Sequence, residues 1–384
     1  MKKKTIILLL ILILLLTGVP LGAAAAEGDP GTFSIETEPA AQNLTGRCQV
    51  TSDLKTTAYT WRVTDAELFT AQVLEAGQRV SLTWREDVPV KAVYLAFKDY
   101  PEAYRVQQFD EAGALLKEEV GPHYVNHAVF LEEGTRTVTV FPDSQIVLCS
   151  FYAYGEGAIP DYHPWAPVPE KLDYLIVAMH PDDDVLFMGA IVPLYGVDQG
   201  REGTISYTAT RERVRKDEAG NGAWIMGLRN QPILGTFPDV PQRYREKYKN
   251  SFKQKDVVQY LVALFRQYKP EVVFSHDLNG EYGHWQHQLL AHAVQEAVPL
   301  AADPAYDPGS AELYGTWEIK KLYLHLYAEN PIHLPVTKPI DAYGGLTPVE
   351  IAAAAFQCHK SQLPSRHAVT NEGWSWQVRQ AASG

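Results

Sequence analysis

Tyr174-Leu175-Ile176-Val177-Ala178-Met179-His180-Pro181-Asp182-Asp183-Asp184 joins an apolar run to a polar turn with no spacer. From residue 172 to 179 nearly every position is apolar, the pattern of a strand covered on both faces. Such strands belong to parallel sheets flanked by helices, so strand and helix should alternate downstream. Residues 184–194 have helical composition, 204–208 form a second strand-like run, and 211–226 are helix-like although Gly220 and Gly222 weaken the pattern. Residues 256–268 carry Val257, Val258, Leu261, Leu264 and Phe265 at helical spacing. A third strand is predicted at 271–275, a helix at 285–298, a later strand at 317–327 and a late helix at 347–359. Residues 228–253, poorly periodic and broken by Pro232, Pro238 and Pro241, read as a long loop. The prediction is an α/β domain over residues 171–384 with a mostly parallel sheet and right-handed crossovers.

Upstream the period changes. Between residues 31 and 157, β-formers alternate with polar residues at 79–84, 90–97, 104–109, 135–141 and 146–149. Asp110-Glu111-Ala112-Gly113 is a plausible turn before Leu115 and Leu116. Short strands at this spacing predict an antiparallel β-sandwich. Cys48 lies near its start and Cys149 in its last strand. A disulfide between them and two buried free thiols are both open readings. Residues 158–170 hold Pro160, Pro164, Pro167 and Pro169, too dense for a helix interior, and predict a stiff linker.

At the start, Lys2-Lys3-Lys4 precede an unbroken apolar run at 6–16, and Ala24-Ala25-Ala26 offer small residues for cleavage before Glu27. This is the pattern of a secretory signal over residues 1–26. An uncleaved anchor would need the run extended to Leu21. The mature protein is expected to be secreted or extracytoplasmic, of bacterial type, with no stable membrane insertion after cleavage.

Composition narrows the function classes. Of 384 residues, 46% are hydrophobic, enough to build sizeable cores and to exclude a disordered chain. Lys and Arg number 34 against 46 Asp and Glu, a formal charge of −12 that argues against nucleic acid as a partner. Three cysteines cannot form a four-cysteine zinc cluster. Cys358 follows an alanine-rich helical run and reads as a structural thiol rather than a nucleophile.

In an open parallel sheet, ligands bind beyond the carboxyl ends of the strands. Two polar clusters fall there: 180–184 after the first strand, and 276–287 after the strand at 271–275. No G-x-G-x-x-G follows the first strand, which argues against a dinucleotide site. His180, Asp183 and His287 offer two imidazoles and a carboxylate, a donor set suited to zinc or another borderline divalent ion. Such a centre needs a further carboxylate to take the proton of water, and Asp182 is adjacent. His284 lies three residues before His287 and can face the same pocket. From the residues alone a second reading stands, in which the acids cap a helix and the histidines lie on a helix face.

Together these clusters resemble those of the PIG-L/LmbE-like zinc-dependent N-acetylglucosaminyl deacetylases. The likeness covers residues 173–375. It rests on Ala178-x-His180-Pro181-Asp182-Asp183 and Gly283-His284-x-x-His287, with Arg215-x-x-Glu218, Met226-Gly227 and His359-x-Ser361-Gln362 in support. The resemblance implies a Rossmann-like sheet and one Zn2+ per chain held by His180, Asp183 and His287. It implies Asp182 as general base, His284 as an acid or electrostatic aid, and Tyr282 as the group polarising the amide carbonyl. Arg215, Glu218 and Asp239 become candidates for holding sugar hydroxyls. The implied reaction is deacetylation of an N-acetylated sugar or glycan, extracellular if the protein is exported.

The upstream layout is similar to discoidin-type, galactose-binding-like modules through Tyr59-Thr60-Trp61, Tyr94-Leu95-Ala96-Phe97 and Tyr154-Gly155-Glu156-Gly157. It would serve as a carbohydrate-binding domain. The chain departs from the deacetylase pattern at Asp184, where Glu is usual, at Gly189-Ala190 for Gly-Gly, and at Trp285-Gln286 for Pro-Asp. The last change removes a possible partner of a ligand histidine. A metal-dependent amidase or esterase on another substrate, and a glycan-binding protein with a vestigial site, are the alternatives. Sugar, linkage, oligomeric state and any closure by residues 229–253 are not set by the sequence.

Overall fold

The computed structural model describes residues 39–363, apart from 55, 56, 66, 211, 250 and 251, together with the backbone of 377–381. The expected leader at 1–26 lies outside the described residues. Among the described residues no helix is long and apolar enough to cross a membrane. The chain divides into two compact units between Tyr162 and His163, inside the proline-rich segment. The second half of that segment is built into the α/β unit: the His163 ring stacks on Trp224 at 4.8 Å, and Trp165 meets Trp224 edge-on at 5.1 Å.

The first unit is a sandwich of nine described strands: β1 (Gln49–Ser52), β2 (Gln72–Leu74), β3 (Val80–Thr83), β4 (Ala92–Phe97), β5 (Tyr104–Phe109), β6 (Leu115–Val120), β7 (Asn126–Phe130), β8 (Thr137–Pro142) and β9 (Ile146–Tyr154). They form two antiparallel sheets, ordered β1-β3-β8-β5-β6 and β2-β9-β4-β7. In β5 buried and partly exposed residues alternate, as a half-covered strand requires. In β4 all six residues are buried. Its inward face joins Val93, Leu95 and Phe97 to the main core, and its outward face joins Tyr94 and Ala96 to a second cluster with Tyr152, Tyr154 and Ile159. The disulfide reading fails: Cys48 and Cys149 are not joined to each other. Cys48 precedes β1, which pairs with β3, whereas Cys149 lies in β9, which pairs with β2 and β4 in the other sheet. The Cys48 thiol instead donates to Leu44 O at 3.5 Å.

The second unit runs β10 (Tyr174–Ala178), α1 (Asp183–Phe187), β11 (Gly203–Tyr207), α2 (Arg213–Ile225), β12 (Ile233–Leu234), α3 (Gln254–Tyr268), β13 (Val272–Ser275), α4 (Trp285–Leu300), β14 (Lys321–His325), β15 (Pro331–His333), α5 (Pro348–Phe356) and β16 (Gln377–Ala381). The sheet order is β12-β11-β10-β13-β14-β16-β15. The first five strands are parallel, and β16 is antiparallel to both neighbours. The expected mostly parallel sheet is therefore present. The all-buried run of β10 is the middle one of the five parallel strands, with α3 and α4 packing Val257, Leu261, Leu290 and Val294 into the core of this unit.

Two elements differ from expectation. The helix expected over 184–194 stops at Phe187, and a π-helical turn follows at Val192–Val197. Pro193 cannot donate to the carbonyl four residues back, and its ring crowds that turn. Gly189 lets α1 approach α5: a Cβ there would lie 2.6 Å from the Ala352 Cβ. The long loop after 228 also contains the two-residue strand β12 and a short helix at Arg245–Tyr248.

Candidate metal centre

Strands β10 and β13 are neighbours, yet the chain leaves β10 toward β11 and leaves β13 toward β14. The order reverses between them, so the loops after both strands border one crevice. This switch point brings the clusters at 180–184 and 276–287 together.

In the first loop Asp182 has φ +121°, a region that side chains rarely adopt. Arg215 on α2 holds it there. Its guanidinium donates to Asp182 Oδ1 at 2.9 Å, to the Pro181 carbonyl and to Asp239 Oδ2. Asp183 opens α1 and accepts the His180 backbone N–H at 2.7 Å. In the second loop Gly280 has φ +68°, and a Cβ there would sit 2.6 Å from the His284 carbonyl oxygen. Glycine thus permits the tight entry into α4.

Three atoms converge between the loops. His180 Nδ1 lies 3.1 Å from Asp183 Oδ2 and 3.1 Å from His287 Nε2, and His287 Nε2 lies 3.3 Å from Asp183 Oδ2. Their partners fix where the protons sit. Gln286 Oε1 accepts the Val240 N–H at 2.9 Å, and Gln286 Nε2 donates to Pro238 O at 3.0 Å, so the amide orientation is set. His180 Nε2, 3.0 Å from that Oε1, is then a donor, and its Nδ1 presents a lone pair. Glu281 accepts at His287 Nδ1, 2.9 Å away, so the neutral His287 ring keeps its lone pair on Nε2 too. Two lone pairs and a carboxylate oxygen face one another. A tetrahedral ion about 2.0–2.1 Å from each ligand needs them roughly 3.3–3.4 Å apart, close to the spacing here. The donor set therefore fits a zinc-like divalent ion.

The electrostatics agree. Burial works against the charge of Asp183, but His287 and His180 hold its carboxyl well below the usual carboxylate range. Burial alone would lower His287, yet Asp183 and Glu281 carry it up to about 10. Protons gather where a cation would sit, so metal binding is coupled to proton release. Burial pushes Asp182 up to about 7 against the pull of Arg215. Burial also pushes Asp184 up to about 7; it accepts the Tyr207 hydroxyl at 2.8 Å.

Two other groups are also close enough to share an ion: His180, His284 and His287, and Asp183, His276 and His287. The backbone excludes the latter. Met179 N–H donates to His276 Nε2 at 2.9 Å, so that nitrogen has no lone pair left for a metal.

Of the predicted site residues, the structure brings His180, Asp183 and His287 into the convergent trio, with Asp182 beside them. The His284 ring lies 4.6 Å from that of His287. Burial, reinforced by His287 and His180, lowers His284 to about 3 and keeps it neutral. Its Nδ1 is buried without a partner. Tyr282 is 62% exposed, and its ring lies 5.5 Å from that of His287. Asp239 Oδ1 is 3.5 Å from His180 Nε2. Glu218 is not in this group: its oxygens accept the Ser361 N–H at 2.7 Å and hydroxyl at 2.6 Å, tying α2 to the segment after α5.

The expected loss of a partner for a ligand histidine is corrected, because Gln286 supplies an oxygen to His180. The sequence reading gave no role to His276, Glu281 or His325. Their only signal was two strand ends terminating in histidine.

Residues 175–298 match the family model described as PIG-L: GlcNAc-PI de-N-acetylase. The resemblance read from the sequence holds over that segment. A 1D-myo-inositol 2-acetamido-2-deoxy-alpha-D-glucopyranoside deacetylase of Geodermatophilus obscurus is 29% identical over 177 residues, 39% of this chain and 59% of that protein. One of Streptomyces avermitilis is 30% identical over 182 residues, again 39% and 59%. The chain thus spans less than two thirds of these relatives. Among solved structures, N,N'-diacetylchitobiose deacetylase from Pyrococcus horikoshii is similar at 20% identity, covering 51% of this chain and 72% of that one, with a TM-score of 0.38. CpGH89CBM32-6 of Clostridium perfringens matches at 15% identity over 30% of this chain and all (100%) of that one, with a TM-score of 0.25.

Proposed function

We propose that the protein is an exported, zinc-dependent hydrolase that removes acetyl groups from N-acetylated sugars or glycans. The observation that carries this reading is the trio His180, Asp183 and His287, its lone pairs turned inward, beside the Asp182 carboxylate that Arg215 holds. The names of the relatives support an acetamido sugar as substrate.

A divalent ion bound by the trio would supply Lewis-acid activation of water and of the amide carbonyl. The chain supplies the proton traffic. Arg215 occupies Asp182 Oδ1, which leaves the other oxygen to take a proton from the attacking water. The protonated Asp182 can then pass that proton on to the departing nitrogen. The water oxygen bonds to the carbonyl carbon, the C–N bond breaks, and acetate and a free amine result. The covered part of the Tyr282 ring and the nearby Asp183 and Asp182 raise its pKa, so its hydroxyl stays protonated and can donate to the developing oxyanion. Neutral His284 can offer a ring N–H to the same charge. Arg215 and Asp239 border this space and are the candidates for sugar hydroxyls. In the sandwich, Phe69 is 82% exposed, a stacking surface of the kind a glycan-holding module uses.

The test is acetate release from a panel of N-acetylglucosamine glycans, before metal removal, after it, and after zinc is restored. Acetate that disappears and returns with the metal is the expected result. A folded, zinc-loaded protein that releases none from any member would overturn the deacetylase reading and favour another amide or an ester.

A further inference from the structure

Glu281 is 5% exposed and lies in the turn between β13 and α4, six residues before His287. Its Oε2 lies 2.7 Å from His276 Nδ1 and 2.9 Å from His287 Nδ1. Its Oε1 lies 2.9 Å from His325 Nδ1 and accepts the Asp277 N–H at 3.2 Å. One carboxylate thus takes N–H groups from three imidazoles and one amide. The histidines come from the end of β13, from α4 and from the end of β14, so Glu281 ties three elements at one point.

The proton positions follow by exclusion. His276 Nε2 accepts the Met179 N–H, so its proton is on Nδ1 and points at Glu281. A carboxylate offers no hydrogen, so His287 must also carry its proton on Nδ1. The His276 ring stacks on that of His287 at 4.3 Å and 25°, which limits ring rotation. His325 holds the other oxygen and keeps the carboxylate from turning. The partner of His180, by contrast, is the neutral amide of Gln286. The two ligand histidines are therefore oriented by unlike groups: Asp239 Oδ1 stands back at 3.5 Å from the outer nitrogen of His180, whereas Glu281 meets that of His287 at 2.9 Å.

We propose that Glu281, braced by His276 and His325, is the positioning residue of the metal centre: it fixes His287 with Nε2 toward the ion and makes the His287 side the stronger half of the site. This rests on the metal-centre part of the proposed function. A histidine whose outer N–H meets a carboxylate is both oriented and more basic, and loss of such a partner lowers metal affinity about 10- to 100-fold. In Glu281→Gln one oxygen becomes an NH2 group, which must face a ring N–H that is already a donor. His287 can then relieve the clash by moving its proton to Nε2, where it opposes the metal.

The experiment is a chelator-competition titration of Zn2+ on the full-length wild type and Glu281→Gln. It is paired with nitrogen-resolved NMR of the histidine tautomers in the zinc-loaded wild type, which needs no variant. The expected results are a fall in affinity of about 10- to 100-fold and a His287 with its proton on Nδ1. Glu281→Asp keeps the charge and should recover part of the affinity. A folded Glu281→Gln that binds zinc within about threefold of wild type would overturn the proposal. So would a wild-type His287 bound to the metal through Nδ1, which decides the matter even if Glu281→Gln does not fold. Wild type without zinc affinity would overturn this proposal and the proposed function together, whereas wild-type binding with an unaffected Glu281→Gln removes only the role of Glu281.

Discussion

Among the described residues between 39 and 162, the buried polar side chains are Thr45, Thr60, Gln108, Thr135, Thr139 and Ser150, all of them neutral. From His163 onward the buried set includes Asp182, Asp183, Asp184, Arg213, Arg215, Lys216, Asp217, Glu218, Arg266 and Glu281, with a run of histidines among them. A buried charge is costly unless it is paired and hydrogen-bonded, so each such group needs either a structural partner or a chemical role. The sandwich solves a packing problem with apolar faces and hydroxyl or amide staples. The α/β unit keeps a cluster of opposed charges at its switch point. The contrast separates the unit that carries chemistry from the unit whose interactions with any ligand must come from its surface.

The largest expected effect tests whether that cluster divides its labour. Asp183→Ala removes a donor of the trio and should abolish both metal binding and turnover. Asp182→Asn leaves the trio intact and should keep the metal while slowing turnover roughly 100- to 10,000-fold. Metal content and acetate release, measured side by side, check this. An Asp182→Asn protein near the wild-type rate would remove Asp182 as the base.

The next test asks whether every buried charge in the α/β unit serves the site. Arg266 is fully buried on α3. Its guanidinium donates to the carbonyls of Leu300, Ala301, Asp303 and Asp307 and to the Ser310 hydroxyl, closing the end of α4. Each of those carbonyls also accepts a backbone N–H, so Arg266→Met removes the charged donor without leaving them bare; it should cost roughly 1.5–3 kcal/mol in urea unfolding of this unit, with zinc affinity unchanged. A loss of zinc affinity in folded protein would tie Arg266 to the site and blur the distinction.

How much of this was legible depended on where the signal lay. The strands at 174–178 and 272–275 and helix α3 announced themselves because their apolar residues follow the period of the element. The trio was legible because its members adjoin strand ends. Glu281 was not: it reads as one polar residue in a polar loop until β13, α4 and β14 are set side by side. Gln286 was misjudged for a related reason, since composition registers a lost carboxylate but not an oxygen kept in place by Val240 and Pro238. Strand β6, Leu-Leu-Lys-Glu-Glu-Val, has no clear alternation and is held by pairing with β5. The two-residue β12 is too short for any period.

The last effect concerns acid. Burial chiefly lowers His163 to about 4, and Asn221 opposes the shift. The folded state therefore sheds a proton that the unfolded chain holds, and the stability due to this group is complete above about 6.5 and lost as pH falls toward 4. In the sandwich, Glu119 is lowered from 4.5 chiefly by its hydrogen bond to His127, so its contribution is lost only as pH falls below that value. The window between is thus a property of the α/β unit. Asp182 and Asp184, pushed up to about 7, act there in the opposite sense, so only a difference isolates His163. His163→Gln keeps a donor for Asn221 Oδ1 and cannot charge. Urea unfolding at pH 7.5 and 4.5 should show wild type losing on the order of 3 kcal/mol more than the variant between the two. Equal losses would mean that the unfolded and folded chains hold the His163 proton alike, and that the His163–Trp224 stack shields the imidazole less than its burial implies.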